Sequence, residues 1–368
     1  MAEKVNNPKK VRKSNFELLR IVAMLMIIFH HIDLIIPNWP VNMEFPKIFA
    51  AYSLSSFGKA GVDIFALITG YFMYNKKIKP KRFFRVWFDV DFYGWLTLAI
   101  VLILGVSISL KSLITLVFPV IFSLRWYATA YLVLYILLPY INLVIAKINF
   151  KRFTSLLLTF TVVLSILPTV KQTVAYSDVM WILFGYLIGS FIAKFNQQIS
   201  HKLRTVNEIM VAIGSFALIL LTVFCVHVVA AKTGHLQHNM NYFFIQNSSF
   251  LVLIFSVALF LVFEKIQFQS IFVNNISKLM FGVYLSHAPI LKFFLPEYIR
   301  KTNLINSGVN FYIYLFIAPI IVFLFFTLIE YIRLKLFSNL LNKLSAKVAA
   351  SFTKLGRSTF RALFPTEN

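Results

Sequence analysis

Long apolar runs broken by short polar or basic pieces set the pattern of this chain. Ten such runs lie near residues 15–36, 57–74, 87–106, 126–146, 153–168, 178–195, 207–230, 246–264, 277–297 and 311–334. A helix needs ~20 apolar residues to cross a bilayer, and most of these runs approach that length. None shows the strict alternation of a membrane-spanning strand. A further apolar piece, 112–124, is short and contains Pro119. It reads as a re-entrant or outer-loop segment. The pattern predicts an all-α polytopic membrane protein with about ten transmembrane helices.

Composition strengthens this reading. Of 368 residues, 59% are hydrophobic and only 13% charged, with 41 Phe. A soluble domain carries about 25% charged residues, so a water-soluble enzyme and a disordered chain are both excluded. The single cysteine, Cys225, lies in an apolar run and rules out a disulfide framework within the chain.

The net charge of +23 invites a nucleic-acid reading, but the positions of the cations argue against one. Ten spans put both ends on one side. With the N-terminus inside, 26 Lys and Arg fall in inner pieces and eight in outer ones. That asymmetry predicts N-in, C-in. Residues 1–14 then form a basic cytoplasmic N-tail, 15–340 a membrane-embedded domain and 341–368 a basic cytoplasmic C-tail. In the tail Leu341, Leu344, Val348, Phe352 and Leu355 recur at helical spacing. They predict an amphipathic helix on the inner leaflet, with a disordered basic tail as the alternative. The first apolar run is bracketed by Arg20, His30, His31 and Asp33 and lacks a small-residue cleavage site, so it reads as an uncleaved span.

Ionisable groups inside spans are costly and mark candidate sites. Arg20 and His31 are eleven residues apart. At 3.6 residues per turn they point within about 20° of each other, ~16 Å apart along the axis. Glu17 lies three residues before Arg20 and can pair with it. His30 points away from this stripe. Asp63, in the second span, falls at a depth similar to His31. A buried carboxylate there predicts an orienting partner for an imidazole base. A structural hydrogen bond for Asp63, a snorkelling anchor for Arg20 and a histidine satisfied by a neighbouring helix are the plainer alternatives. Arg82 and Arg85 put two guanidiniums on one helical face, which suits phosphate, although a positive-inside loop looks the same.

These segments together resemble a known family. FELLRIVAMLMIIFHH, with Arg20 and His31, resembles the start of the acyltransferase-3 family of integral membrane acyltransferases. GKAGVDIFALITGYFMY (58–74) looks like its second span, with Thr69 where serine is common before Gly70. The Arg82–Arg85 pair matches its next cytoplasmic motif. LRWYATAYLVLYILLPYIN (124–142) and SKLMFGVYLSHAPI (277–290) resemble its Trp-aromatic and late Tyr–His segments.

The resemblance implies transfer of an acyl group, commonly acetyl from acetyl-CoA, to a sugar hydroxyl. The acceptor is a cell-surface or lipid-linked glycan, and the setting a bacterial plasma membrane. The chain is expected to carry no fused extracytoplasmic domain and to act alone or with separate glycan-assembly proteins. Arg82 and Arg85, with Arg20, would hold the donor phosphates. The pantetheine arm would run beside the first span to His31. His31, oriented by Asp63, would deprotonate the sugar hydroxyl or carry the acyl group itself. Trp126 and Tyr127 read as a sugar-stacking platform or an interfacial aromatic belt. Tyr284 and His287 count as substrate-site residues, His287 as a possible second acid/base. His235 and His238 have no metal-ligand neighbours, so no metal is expected. The rival reading is a polysaccharide exporter or proton-coupled transporter using the same buried charges as a relay.

Overall fold

The computed structural model describes residues 13–34, 44–170, 177–200, 205–233 and 248–355. The tail before Lys13, the loop carrying His235 and His238, and the tail after Leu355 lie outside these. Among the described residues the chain is helical, with no strand. The helices in order are α1 Ser14–Leu34, α2 Phe45–Met73, α3 Pro80–Ile103, α4 Leu110–Val117 and α5 Trp126–Lys147. Then come α6 Phe150–Thr161, which runs through a π-helical turn at Val162–Ile166 into α7 Leu167–Val170, and α8 Asp178–Lys194. The rest are α9 Asn196–Ser200, α10 Thr205–Thr233, α11 Phe250–Lys265, α12 Ile271–Ser277, α13 Met280–Thr302 and α14 Val309–Leu355.

Among the described residues each predicted apolar run falls largely in helix. Six stretches among the described residues are long and apolar enough to cross a membrane: 14–31, 80–103, 126–147, 150–169, 205–233 and 309–354. The short piece at 112–124 is split between α4 and a turn. Two boundaries differ from expectation. α2 starts twelve residues early, because Pro46 in its first turn pre-sets the helix and Lys47 pairs with Glu44 at 3.6 Å. α14 does not stop near residue 334, because no Gly or Pro follows until Gly356. Its 47 residues make a rod of ~70 Å, more than twice a ~30 Å hydrocarbon core.

The predicted tail helix is therefore the continuation of the last span. Phe337 packs on Phe92 and Phe352 on Phe84, with ring centroids 5.1 and 5.0 Å apart. The tail thus docks on α3.

α1 lies at the centre. Its apolar window is 61% buried, against 17–22% for α6–α7, α10 and α14, whose outer faces carry exposed Leu, Ile, Val and Phe suited to lipid. α1 packs along α2, and α2 along α8. Both approaches need missing side chains. A Cβ on Gly61 would strike the Ala23 carbonyl, and one on Gly189 the Leu67 carbonyl. Small residues let helices touch backbone to backbone where hydrophobic burial supplies no drive. Lys194, at the end of α8, donates to the carbonyls of Ile145, Ala146 and Ile148 at 2.6–3.0 Å. It so satisfies the exposed C-terminus of α5.

Candidate active site

The face of α1 predicted from the Arg20–His31 spacing is real and points at α13. His31 Nδ1 lies 2.9 Å from the Ile27 carbonyl and 3.3 Å from His287 Nε2. His287 Nδ1 lies 2.8 Å from the Val283 carbonyl. A carbonyl oxygen only accepts, so each neutral ring carries its proton on Nδ1. His287 Nε2 then bears a lone pair and accepts from His31 Nδ1–H, which it shares with the Ile27 carbonyl. This leaves His31 Nε2 unprotonated, and no described residue bonds to it. Two helical backbones thus fix a basic nitrogen at a known position, an arrangement suited to proton abstraction. The rings meet edge to face with centroids 4.9 Å apart. His287 is fully buried and His31 half-buried.

The orienting carboxylate expected for His31 is absent from it. Asp63 accepts from the Trp181 indole at 2.8 Å and from the Ser256 hydroxyl at 3.3 Å. α2 turns this residue toward α8 and α11, whereas His31 faces α13. Depth alone, without rotation about the helix axis, suggested the pairing. His30 is the structural histidine of the two. It is buried, with Nδ1 2.8 Å from the Ser55 carbonyl and 2.9 Å from the Ser55 hydroxyl.

Toward the other end of α1 a cavity of about 500 Å³ is lined by Arg20, Arg82 and Lys278, and by Thr69, Tyr127 and Tyr131 among others. Glu17 holds Arg20 at 2.8 Å and accepts from the Ser277 hydroxyl. Arg20 keeps 28% of its side chain accessible, so a ligand can reach it. Lys278 reaches the cavity from the turn between α12 and α13.

Arg85 does not join this cavity. Three residues advance a helix by about 300°, which leaves Arg85 rotated from Arg82. There Arg85 donates to Asp89 at 3.0 Å, and across to α14 at the Ser338 carbonyl and Asn342, at 3.0 and 2.8 Å. The shared phosphate face expected for the pair is thus divided. Arg82 faces the cavity and Arg85 ties α3 to α14.

Tyr127 is buried in the cavity wall, with Trp126 edge-on to it, 5.8 Å between centroids. From this wall the rings step through Tyr127, Tyr284 and His287 to His31, with centroids 5.8, 6.3 and 4.9 Å apart.

A buried charge network was not anticipated. Arg333 forks onto Glu330 with two 2.6 Å bonds and reaches Asp89 at 2.6 Å. Tyr93 donates to Glu330, and Arg85 completes the group. The signal lay in the spacings Arg85/Asp89 and Glu330/Arg333, each one turn apart. Nothing in the sequence joined the two turns. Among the described residues no three His, Cys, Asp or Glu side chains come together as a metal site would need.

The comparisons with known proteins bear on this arrangement. No curated protein and no solved structure matches the chain. The family model for acyltransferase-3, described as an acyltransferase domain, matches residues 13–330 and so takes in α1, the cavity and both histidines. That match covers most of the chain, and an open imidazole nitrogen on a buried helix is what such chemistry asks of a protein. The chain belongs to the acyltransferase-3 family and is a membrane acyltransferase.

Proposed function

We propose that this protein moves an acetyl group from acetyl-CoA to a hydroxyl of a cell-surface or lipid-linked glycan, in a bacterial plasma membrane. The observation that carries the reading is α1 itself. One helix presents Arg20 to a cationic cavity and, ~16 Å further on, His31 with a free Nε2. Phosphates of the donor suit Arg20, Arg82 and Lys278. The pantetheine arm is extended and largely uncharged, and suits the aromatic wall at Tyr127 and Tyr131. The thioester is thereby brought toward His31, where the sugar hydroxyl loses its proton as its oxygen attacks. Membrane lipid surrounds the exposed apolar faces, and glycan-assembly proteins would supply the acceptor. The chain has no nucleic-acid partner in this reading.

The orientation belongs to the same proposal: about ten spans, N-in and C-in, with the cavity toward the cytoplasm that makes the donor. Reporter fusions after Ile36 and Thr302 are expected to read outside, and those after Asn75 and Leu355 inside. An outside C-terminus would overturn it.

Purified protein with labelled acetyl-CoA tests the chemistry. Arg82→Ala is expected to raise KM for acetyl-CoA about tenfold or more, since a charge-assisted bond contributes ~1.5–3 kcal/mol. Arg85→Ala is expected to leave KM alone and to lower the unfolding temperature, because Arg85 serves the α3–α14 contact. Equal KM effects would mean that the division between the two arginines is wrong. An exporter would relocate the glycan without changing its mass, and mass spectrometry of the glycan separates the readings.

A further inference from the structure

Arg125 is the residue just before α5, and it is 4% exposed. Its Nε donates to the Leu285 carbonyl at 2.6 Å, and its Nη1 lies 3.4 Å from the Leu124 carbonyl. Nη2 is buried and has no hydrogen-bond partner among the described residues. Among the described residues no carboxylate pairs with this guanidinium. A buried cation left without a counter-charge costs several kcal/mol, so it survives where something else uses the charge. Leu285 lies two residues before His287 on α13, so the bond that fixes Arg125 also ties it to the histidine pair. The guanidinium is within electrostatic range of His31, His287 and Tyr284.

We propose that Arg125 is a further catalytic residue, supplying through Nη2 the positive charge that stabilises the oxyanion of the acyl-transfer adduct. The inference rests on the acyl-CoA reading above. The acceptor oxygen forms the new C–O bond as its proton passes to His31 Nε2. The carbonyl π pair moves onto oxygen, and that oxygen is the partner Nη2 lacks. Collapse re-forms C=O and breaks C–S, and the leaving thiolate takes the proton from His31. Charge placed in advance where the transition state becomes negative acts on kcat more than on ground-state binding.

The test compares Arg125→Gln with Arg125→Lys in purified protein, using labelled acetyl-CoA and the membrane glycan fraction. Glutamine keeps an N–H donor for Leu285 without the charge, and lysine keeps the charge. The expected result is a ~10²–10³-fold loss of kcat in R125Q, with KM for acetyl-CoA and unfolding temperature unchanged, and a clear recovery in R125K. Arg125 as a mere clamp on Leu285 predicts instead that R125Q matches the wild type, or that its loss follows the loss of folded protein; either result overturns the proposal, as does R125K no better than R125Q. Should R125Q not fold, the wild type gives a second measurement. A CoA thioether ending in a phosphonate, anionic where the adduct is anionic, should compete at least tenfold more tightly than acetonyl-CoA, which is neutral there. Equal affinities overturn the proposal. A wild type that transfers acetyl to nothing refutes the acetyl-CoA reading itself, whereas an active wild type with an equally active R125Q refutes only the role of Arg125.

Discussion

Alanine at His31 is expected to cut acyl transfer by at least the ~10²–10⁴-fold that general acid–base catalysis contributes. The reason is positional. Among the described residues His31 Nε2 is the one imidazole nitrogen of the pair that neither backbone nor neighbour occupies, while His287 spends both nitrogens on Val283 and His31. His287→Ala is expected to cost less, because the Ile27 carbonyl still holds the His31 proton on Nδ1. His30→Ala removes a buried ring and its bonds to Ser55, and should lower stability while leaving appreciable turnover. Asp63→Asn disturbs Trp181 and Ser256, so its effect should also appear in folding before chemistry. The measurement is ester content of the glycan by mass spectrometry or NMR, normalised to folded protein. A dead His30→Ala with an active His31→Ala would refute both the helical-face argument and the tautomer assignment.

The second large effect is on stability. Arg333→Met is expected to destabilise the fold by ~3–5 kcal/mol, the usual penalty for removing one member of a buried ion group. Arg333 and Arg85 balance Asp89 and Glu330, so the intact group is neutral. Without Arg333, two buried carboxylates face one guanidinium, and Glu330 loses both ends of its fork. The double variant Arg333→Met with Glu330→Met leaves the Arg85–Asp89 pair balanced. It should recover much of the loss, since an apolar replacement of both partners is often near neutral. Thermal unfolding in detergent reads both. A double variant as unstable as the sum of the singles would show that the group contributes by packing alone.

The two ion pairs at α3 and α14 also show how legibility ended. Arg85/Asp89 and Glu330/Arg333 are each visible as one-turn spacings, yet their union joins residues some 240 positions apart. A sequence pattern reports neighbours along one helix and is silent about which helices meet.

The same division runs through the whole molecule. Apolar run length fixed the fold class, because a backbone in lipid must bond to itself and a helix does so locally. Helical periodicity fixed the shared face of Arg20 and His31, again a property of one helix. Continuity of α14 past residue 334 was legible too, in the lack of Gly and Pro, once span length was not assumed to end the helix. Tertiary packing decided the rest. It turned Asp63 to Trp181 and Ser256, gave His31 a second histidine in place of a carboxylate, parted Arg82 from Arg85, and buried Arg125 beside α13. Each depends on the rotation and crossing of helices. Those are set by close approaches such as Gly61 on Ala23 and Gly189 on Leu67, whose partners lie far apart in sequence.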